Sequence, residues 1–127
     1  MTIPFHLEVN GFELPDSIKN IIEKQLSVLL DRYPRIINCN LLVRAPNGHH
    51  HKGEPFLVTL TFSLPGGLQV EASPAIGQLD PRQADVRFAI DDAFRRARRR
   101  LDEEESKREA RQKQRRTNRP KATPTKS

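Results

Sequence analysis

The sequence predicts an α+β fold: a two-layer β-α-β-β-β-α sandwich, a four-stranded sheet with two helices on one face, plus a basic C-terminal tail. Three observations predict it. Four short segments alternate apolar and polar residues. Two longer segments repeat apolar residues every three or four positions. Turn residues separate the segments, and their order along the 127 residues leaves one sheet face for the helices and the other for water.

In "PFHLEV", Phe5, Leu7 and Val9 share one side while His6 and Glu8 take the other, as in a half-buried strand. Asn10–Gly11 supplies the turn. From Pro15 the period changes to that of an amphipathic helix, with Ile18, Ile21, Ile22, Leu26, Leu29, Leu30 and Tyr33 on one face. Pro15 suits the first helical position, Asp16 and Arg32 complement the two ends of the helix dipole, and Pro34 stops the helix. "IINCNLLVR" places Ile37, Cys39, Leu41 and Val43 together. After the polar loop "APNGHHHKGEP", Phe56, Val58, Leu60, Phe62 and Leu64 point inward from the third strand, with Leu57, Thr59, Thr61 and Ser63 outward. "PGG" at residues 65–67 is a hairpin turn, and Leu68, Val70 and Ala72 are the inner residues of the fourth strand. After the loop "SPAIGQLDP", Asp80 and Pro81 read as N-cap and first residue of the second helix. Its stripe is Val86, Ile90, Ala93, Phe94, Ala97 and Leu101. Nothing after Leu101 can bury, and from about Thr117 the composition is that of a disordered tail. The expected division is a domain over residues 1–105 and a basic helix extension with tail over residues 106–127.

Charge is distributed unevenly. Residues 1–94 hold 8 Lys and Arg against 11 Asp and Glu, a net of −3; residues 95–127 hold 14 against 5, a net of +9. A basic segment on a mildly acidic globule points to a localised polyanion contact, most often nucleic acid. A single cysteine allows no internal disulfide and fits a reducing cytosol. No apolar run approaches the ~20 residues of a membrane span. The N-terminus lacks the basic and apolar regions of a secretion signal and reads as mature structure.

No residues converge on catalysis, and no cofactor or small-molecule substrate is implied. His49, His50 and His51 are adjacent, whereas zinc sites want spaced ligands, so a solvated loop is expected and no metal. Cys39 shares the inward parity of its strand, where a thiol is inert. Gly66 and Gly67 make a turn, since no Lys-Ser/Thr follows them as in a phosphate loop.

The densest feature is "DDAFRRARRRLDEEE", residues 91–105. With Ile90 at zero, the apolar stripe lies within about 60° on either side, and Arg95, Arg99 and Arg96 fall at roughly 140°, 180° and 240°. Five i,i+4 pairs are available: Asp91–Arg95, Asp92–Arg96, Arg98–Asp102, Arg99–Glu103 and Arg100–Glu104. Each would be worth ~0.2–0.5 kcal/mol, enough for a solvated helix. Pairing still leaves the segment at +9, and weak exposed pairs exchange readily for phosphates, so polyanion binding is the preferred reading. The outward strand positions carry no aromatics for base stacking. Helices and tail gripping the phosphates of structured RNA fit the residues better.

The element order, "PGG" before "LQVEA", "RYPRIIN" after the first helix and "DVRFAIDDAF" opening the second resemble the ribosome hibernation-promoting factor family, also called the ribosome-associated inhibitor or ribosomal subunit interface protein family. The resemblance covers about residues 3–101. It implies two parallel helices on one sheet face, no enzyme activity and a cytoplasmic protein. It also implies binding to the small ribosomal subunit near the decoding centre, blocking mRNA and tRNA sites in stressed or stationary cells. The family's basic positions are matched by Arg96 and Arg99 on the second helix and Arg35 after the first. Lysines common late in the first helix are Gln25 and Val28 here, beside Lys24, and the family's lysine-rich end of the second helix is "DEEE" at residues 102–105. With no second domain after the tail, the chain resembles a short form, monomeric off the ribosome. The rRNA-binding set expected is Lys24, Arg35, Arg95, Arg96, Arg99 and Arg100, with Arg108, Arg111, Arg115, Arg116 and Arg119 adding contacts from extension and tail. Two rival readings are a structured-RNA binder acting off the ribosome and a protein-interaction module that uses the charged helix.

Overall fold

The computed structural model describes residues 4–45, 55–73 and 81–118, with backbone alone at positions 81, 83 and 115–118. Its elements are β1 (Phe5–Asn10), α1 (Asp16–Arg32), β2 (Asn38–Arg44), β3 (Leu57–Leu64), β4 (Leu68–Ala72) and α2 (Val86–Asn118), with a 3-10 turn at Pro81–Ala84 before α2. The sheet order is β1-β2-β3-β4. β1 and β2 run parallel because α1 carries the chain across between them; the other two pairings are antiparallel.

Register turns the alternation of each strand into rows across the sheet. Phe5, Cys39, Phe62 and Val70 form one row, and Leu7, Leu41, Leu60 and Ala72 the next. From β2 to β4 these residues are buried, and both helices lie over them. α1 contributes Ile22, Leu26 and Leu29; α2 contributes Ala89, Ile90, Ala93, Phe94, Ala97 and Leu101. The alanines let the α2 backbone approach β3 and β4, and Phe94 fills the space between them. Burial pushes the Cys39 thiol up to about 12, so at neutral pH it stays protonated and behaves as a small apolar side chain.

The helices run parallel. Gln25 Nε2 donates to Asp91 Oδ1 at 2.5 Å, and eight residues further on, at the C-cap of α1, the Tyr33 hydroxyl donates to the Asp102 carboxylate and meets the Arg98 carbonyl at 3.3 Å. Arg32 completes this clasp: its Nε donates to the Tyr33 oxygen at 3.2 Å, and its Nη2 lies 3.6 Å from Asp102. Burial, then the bond to Asp102, raises the Tyr33 pKa above its ordinary 10.0. A raised acid pKa contributes stability that is complete below pH 10 and is lost as pH climbs through the folded-state value. Tyr33→Phe is expected to cost about 1–2 kcal/mol at neutral pH. It should also flatten the alkaline loss. Urea melts of wild type and variant from neutral pH upward check this, and the difference between the two isolates Tyr33 from Cys39, which titrates in the same direction.

Four expectations are corrected. Ile37 is exposed: the turn from Tyr33, closed by Ile36 N–H to the Tyr33 carbonyl at 3.3 Å, spends Ile36 on the core, and the strand begins at Asn38. Leu68, opposite Leu64 at the hairpin end, sits on the rim and is 39% exposed. Pro15 occupies the N-cap of α1, one place earlier than expected. The start of α2 also moves. Asp80 lies outside the described residues, Pro81 opens the 3-10 turn, and Asp85 caps the helix by accepting the Arg87 N–H at 2.9 Å. Gly66 and Gly67 have φ of +85° and +75°, the left-handed conformation that the "PGG" hairpin needs. α2 runs unbroken for 17 residues past Leu101, about 25 Å beyond the last core contact.

Candidate nucleic-acid interface

The arginine run wraps around α2, with Arg96, Arg99 and Arg100 bordering the end of β4 and Arg98 bordering α1, and the acids around it do not simply neutralise it. Of the five expected i,i+4 pairs, Asp92–Arg96 forms, with Nε at 2.8 Å from Oδ2. Asp91 instead pairs with Arg87 at 3.3 Å and accepts from Gln25. Asp102 is taken by Tyr33 and Arg32 of α1. The remaining acids pair three residues away: Glu103 with Arg100 at 4.0 Å, Glu104 with Lys107 at 3.5 Å, and Glu105 with Arg108 at 3.9 Å. Arginine N-terminal to an acid at i,i+4 is the weaker orientation on a helix, and contacts to α1 outbid two of the acids. Arg98 and Arg99 are exposed and make no ion pair among the described residues.

The burial of Asp92 is what the sequence pattern misses. The residue lies opposite the apolar stripe, yet its side chain is 3% exposed. The first turns of α2 are enclosed over a wider arc than the stripe, from Ala89 through Asp92 to Ala93. Asp92 Oδ1 accepts from Arg95 Nη2 and Oδ2 from Arg96 Nε. The two guanidinium groups remain 60% and 36% exposed as side chains. A polyanion approaching this face therefore meets cations first, with the carboxylate beneath them.

Two open grooves flank Arg99. Arg96, Arg99 and Arg100 line one against Glu71, Ala72 and Ser73 at the end of β4, about 450 Å³ in volume. Arg95, Arg99 and Lys107 line the other with Asp102, Glu103 and Ser106. The structure thus brings Arg96, Arg99 and Arg100 to one groove and Arg95 and Arg99 to the next, with Arg99 shared between them. Lys24 stands elsewhere, on a groove between α1 and α2 with Gln25, Val28, Leu29, Arg32 and Arg98; Val28 is 67% exposed there. Arg35 is partly buried just beyond α1, two residues from the Tyr33 clasp. Arg108 and Arg111 lie along the helix past the core, and Arg115 and Arg116 continue it, too far along to join the first cluster. Arg119 and the histidines at 49–51 lie outside the described residues. Among the described residues, no His, Cys, Asp and Glu gather as a metal site, and no helix is long and apolar enough to cross a membrane.

A family model for Ribosomal S30AE, described as sigma 54 modulation protein / S30EA ribosomal protein, matches residues 5–109. The chain belongs to that family. The Ribosomal S30AE match takes in every strand, both helices' core-facing residues and the whole arginine cluster, and it ends nine residues before α2 does. Among solved structures, the chain is similar to a ribosomal subunit interface protein from Coxiella burnetii, with 14% identity, a TM-score of 0.61, and coverage of 82% of this chain and 99% of that one. It is also similar to the N-terminal domain of Protein Y from Thermus thermophilus, with 24% identity, a TM-score of 0.53, and coverage of 79% and 96%. At these identities the two likenesses establish the fold. A search of curated proteins finds no match.

Proposed function

We propose that this Ribosomal S30AE protein binds the small ribosomal subunit near the decoding centre and inhibits translation sterically, occupying mRNA and tRNA sites in stressed or stationary cells. Family membership and the ribosomal-interface names of its structural neighbours support the ribosome as partner. The observation that carries the reading is the concentration of cations on α2: Arg95, Arg96, Arg99 and Arg100 line two adjoining grooves, and the Asp92 carboxylate among them is buried beneath the side chains of Arg95 and Arg96. Docking is electrostatic and requires no catalytic group. The folded domain of residues 1–105 makes the primary contact, with Lys24 and Arg35 at its edge. Residues 106–127, through Arg108, Arg111, Arg115 and Arg116, add phosphate contacts along the extension. The protein acts in the cytoplasm and is monomeric off the ribosome.

Sucrose-gradient sedimentation of a stationary-phase lysate tests this. At low salt the protein is expected to travel with ribosomal particles containing the small subunit, and to move to the top of the gradient as salt rises, because phosphate contacts release counterions. A protein that stays at the top at low salt overturns the reading. Sedimentation with free RNA alone would assign it to structured RNA away from the ribosome.

A further inference from the structure

We infer that Asp92 is a positioning residue: its buried carboxylate holds Arg95 and Arg96 as a fixed two-guanidinium fork that selects RNA with phosphates at fixed spacing, a duplex or folded stem, over flexible single strands. The inference rests on the polyanion-binding reading of α2 and supplies a determinant of its selectivity.

Three observations carry it. One carboxylate accepts from two different guanidinium groups, through Arg95 Nη2 and Arg96 Nε, so both side chains are tied to one buried point. Exposure is opposite across the pairs, with 3% for the acid against 60% and 36% for the arginines. The two contacts consume few donors: of about five N–H groups on each guanidinium, most remain available. Elsewhere on α2 the arrangement differs. Arg100–Glu103 and Arg108–Glu105 are pairs in which acid and base are about equally exposed, the covered Glu104 holds a single exposed lysine, Lys107, and Arg99 has no ion pair among the described residues. The Asp92 fork is therefore the place on α2 where one buried carboxylate holds two cations at once, and the neighbouring cations have one partner or none among the described residues.

Rigidity matters differently for different ligands. A long arginine loses rotamer freedom when it grips a phosphate, and a side chain already held loses less. That saving is realised only when the ligand presents its phosphates where the fork points. A folded stem does so at fixed spacing, whereas a flexible strand can wrap around any set of cations and gains little from the fork. Charge alone predicts the opposite. Removing the Asp92 carboxylate raises the net charge and should tighten binding to every RNA.

The opposing signs make the test decisive. The full chain is titrated at matched salt with an RNA duplex of about two helical turns and with a uridine homopolymer of the same strand length. Asp92→Asn is expected to weaken duplex binding by about tenfold while leaving homopolymer binding equal or tighter. Because Asp92 is buried, a second variant retains it: Arg95→Lys with Arg96→Lys keeps the net charge but loses the planar fork. This variant should lose the duplex preference to a similar degree. If Asp92→Asn tightens both RNAs equally, or the double-lysine variant keeps the full preference, the positioning role is overturned. A wild-type chain that binds neither RNA and no ribosomal particle overturns the underlying reading instead.

Discussion

Reversing Arg96 and Arg99 to glutamate is expected to release the protein from ribosomal particles at salt concentrations where the wild type is fully bound. Both side chains line the groove at the end of β4, and Arg99 also lines the groove on the other side of the run. Each charge-assisted hydrogen bond lost is worth about 1.5–3 kcal/mol, so two together weaken binding on the order of 100-fold or more. Losing two phosphate contacts also lowers the slope of log K against log salt by about two. The two reversals are not equivalent. Arg99 has no intramolecular ion pair to lose among the described residues, so Arg99→Glu reads binding directly. Arg96→Glu removes one of the arginines on buried Asp92 and sets a second carboxylate beside it, which lowers stability as well. Neutral replacement, Arg96→Gln with Arg99→Gln, separates these effects: it should lose most of the binding with a smaller drop in Tm. If the reversed protein melts cooperatively and still co-sediments at moderate salt, the arginine cluster is not the interface.

The unequal roles of these two neighbours show how far the sequence could be read. Periodicity alone found each strand and both helices, because one face of each is buried and burial selects apolar residues at the matching spacing. It misjudged ends. Ile37 and Leu68 have the right parity but lie where the chain enters or leaves the sheet, and the start of α2 was set by Asp85 rather than by the proline expected to open it. Parity describes a strand's interior and says nothing of where the covering layer stops. Of the candidate site, the sequence showed which stretch of α2 carries the charge. Arg96, Arg99 and Arg100 do line one groove, and Arg95 joins Arg99 on the next. What the pattern could not show was the fate of each acid. Asp92 and Asp102 look like interchangeable members of a charged helix, yet one is buried under two arginines and the other ties α2 to Tyr33. Spacing along the helix did give the Asp92–Arg96 pair, but the burial of Asp92 depends on the width of the enclosed arc and the fate of Asp102 on Tyr33, 69 residues away, and a local spacing encodes neither. The acids at 102–105 thereby gain a structural account at their first member, as a clasp between the helices.

Phe94→Ala is expected to remove about 3–5 kcal/mol of stability, the largest effect foreseen for a single substitution here. Phe94 is fully buried between α2 and the sheet, among Leu60, Phe62 and Val70 of the same core. The alanines at 89, 93 and 97 bring the α2 backbone close, so there is little side chain nearby to relax into the void. For a domain of this size each kcal/mol moves Tm by roughly 4–8 °C, so the fall should exceed about 12 °C. Phe94→Leu, which keeps most of the volume, should cost less than about 1.5 kcal/mol. Phe94 is next in sequence to Arg95 and Arg96, so the same substitution tests whether the interface depends on the fold. If these arginines act only as charge, the alanine variant should bind ribosomes whether or not α2 is seated on the sheet. If their placement matters, binding should disappear over the temperature range in which circular dichroism shows the variant unfolding, and return on cooling. Binding that persists through the melting transition would show that a basic peptide suffices and that the sandwich beneath it contributes no positioning.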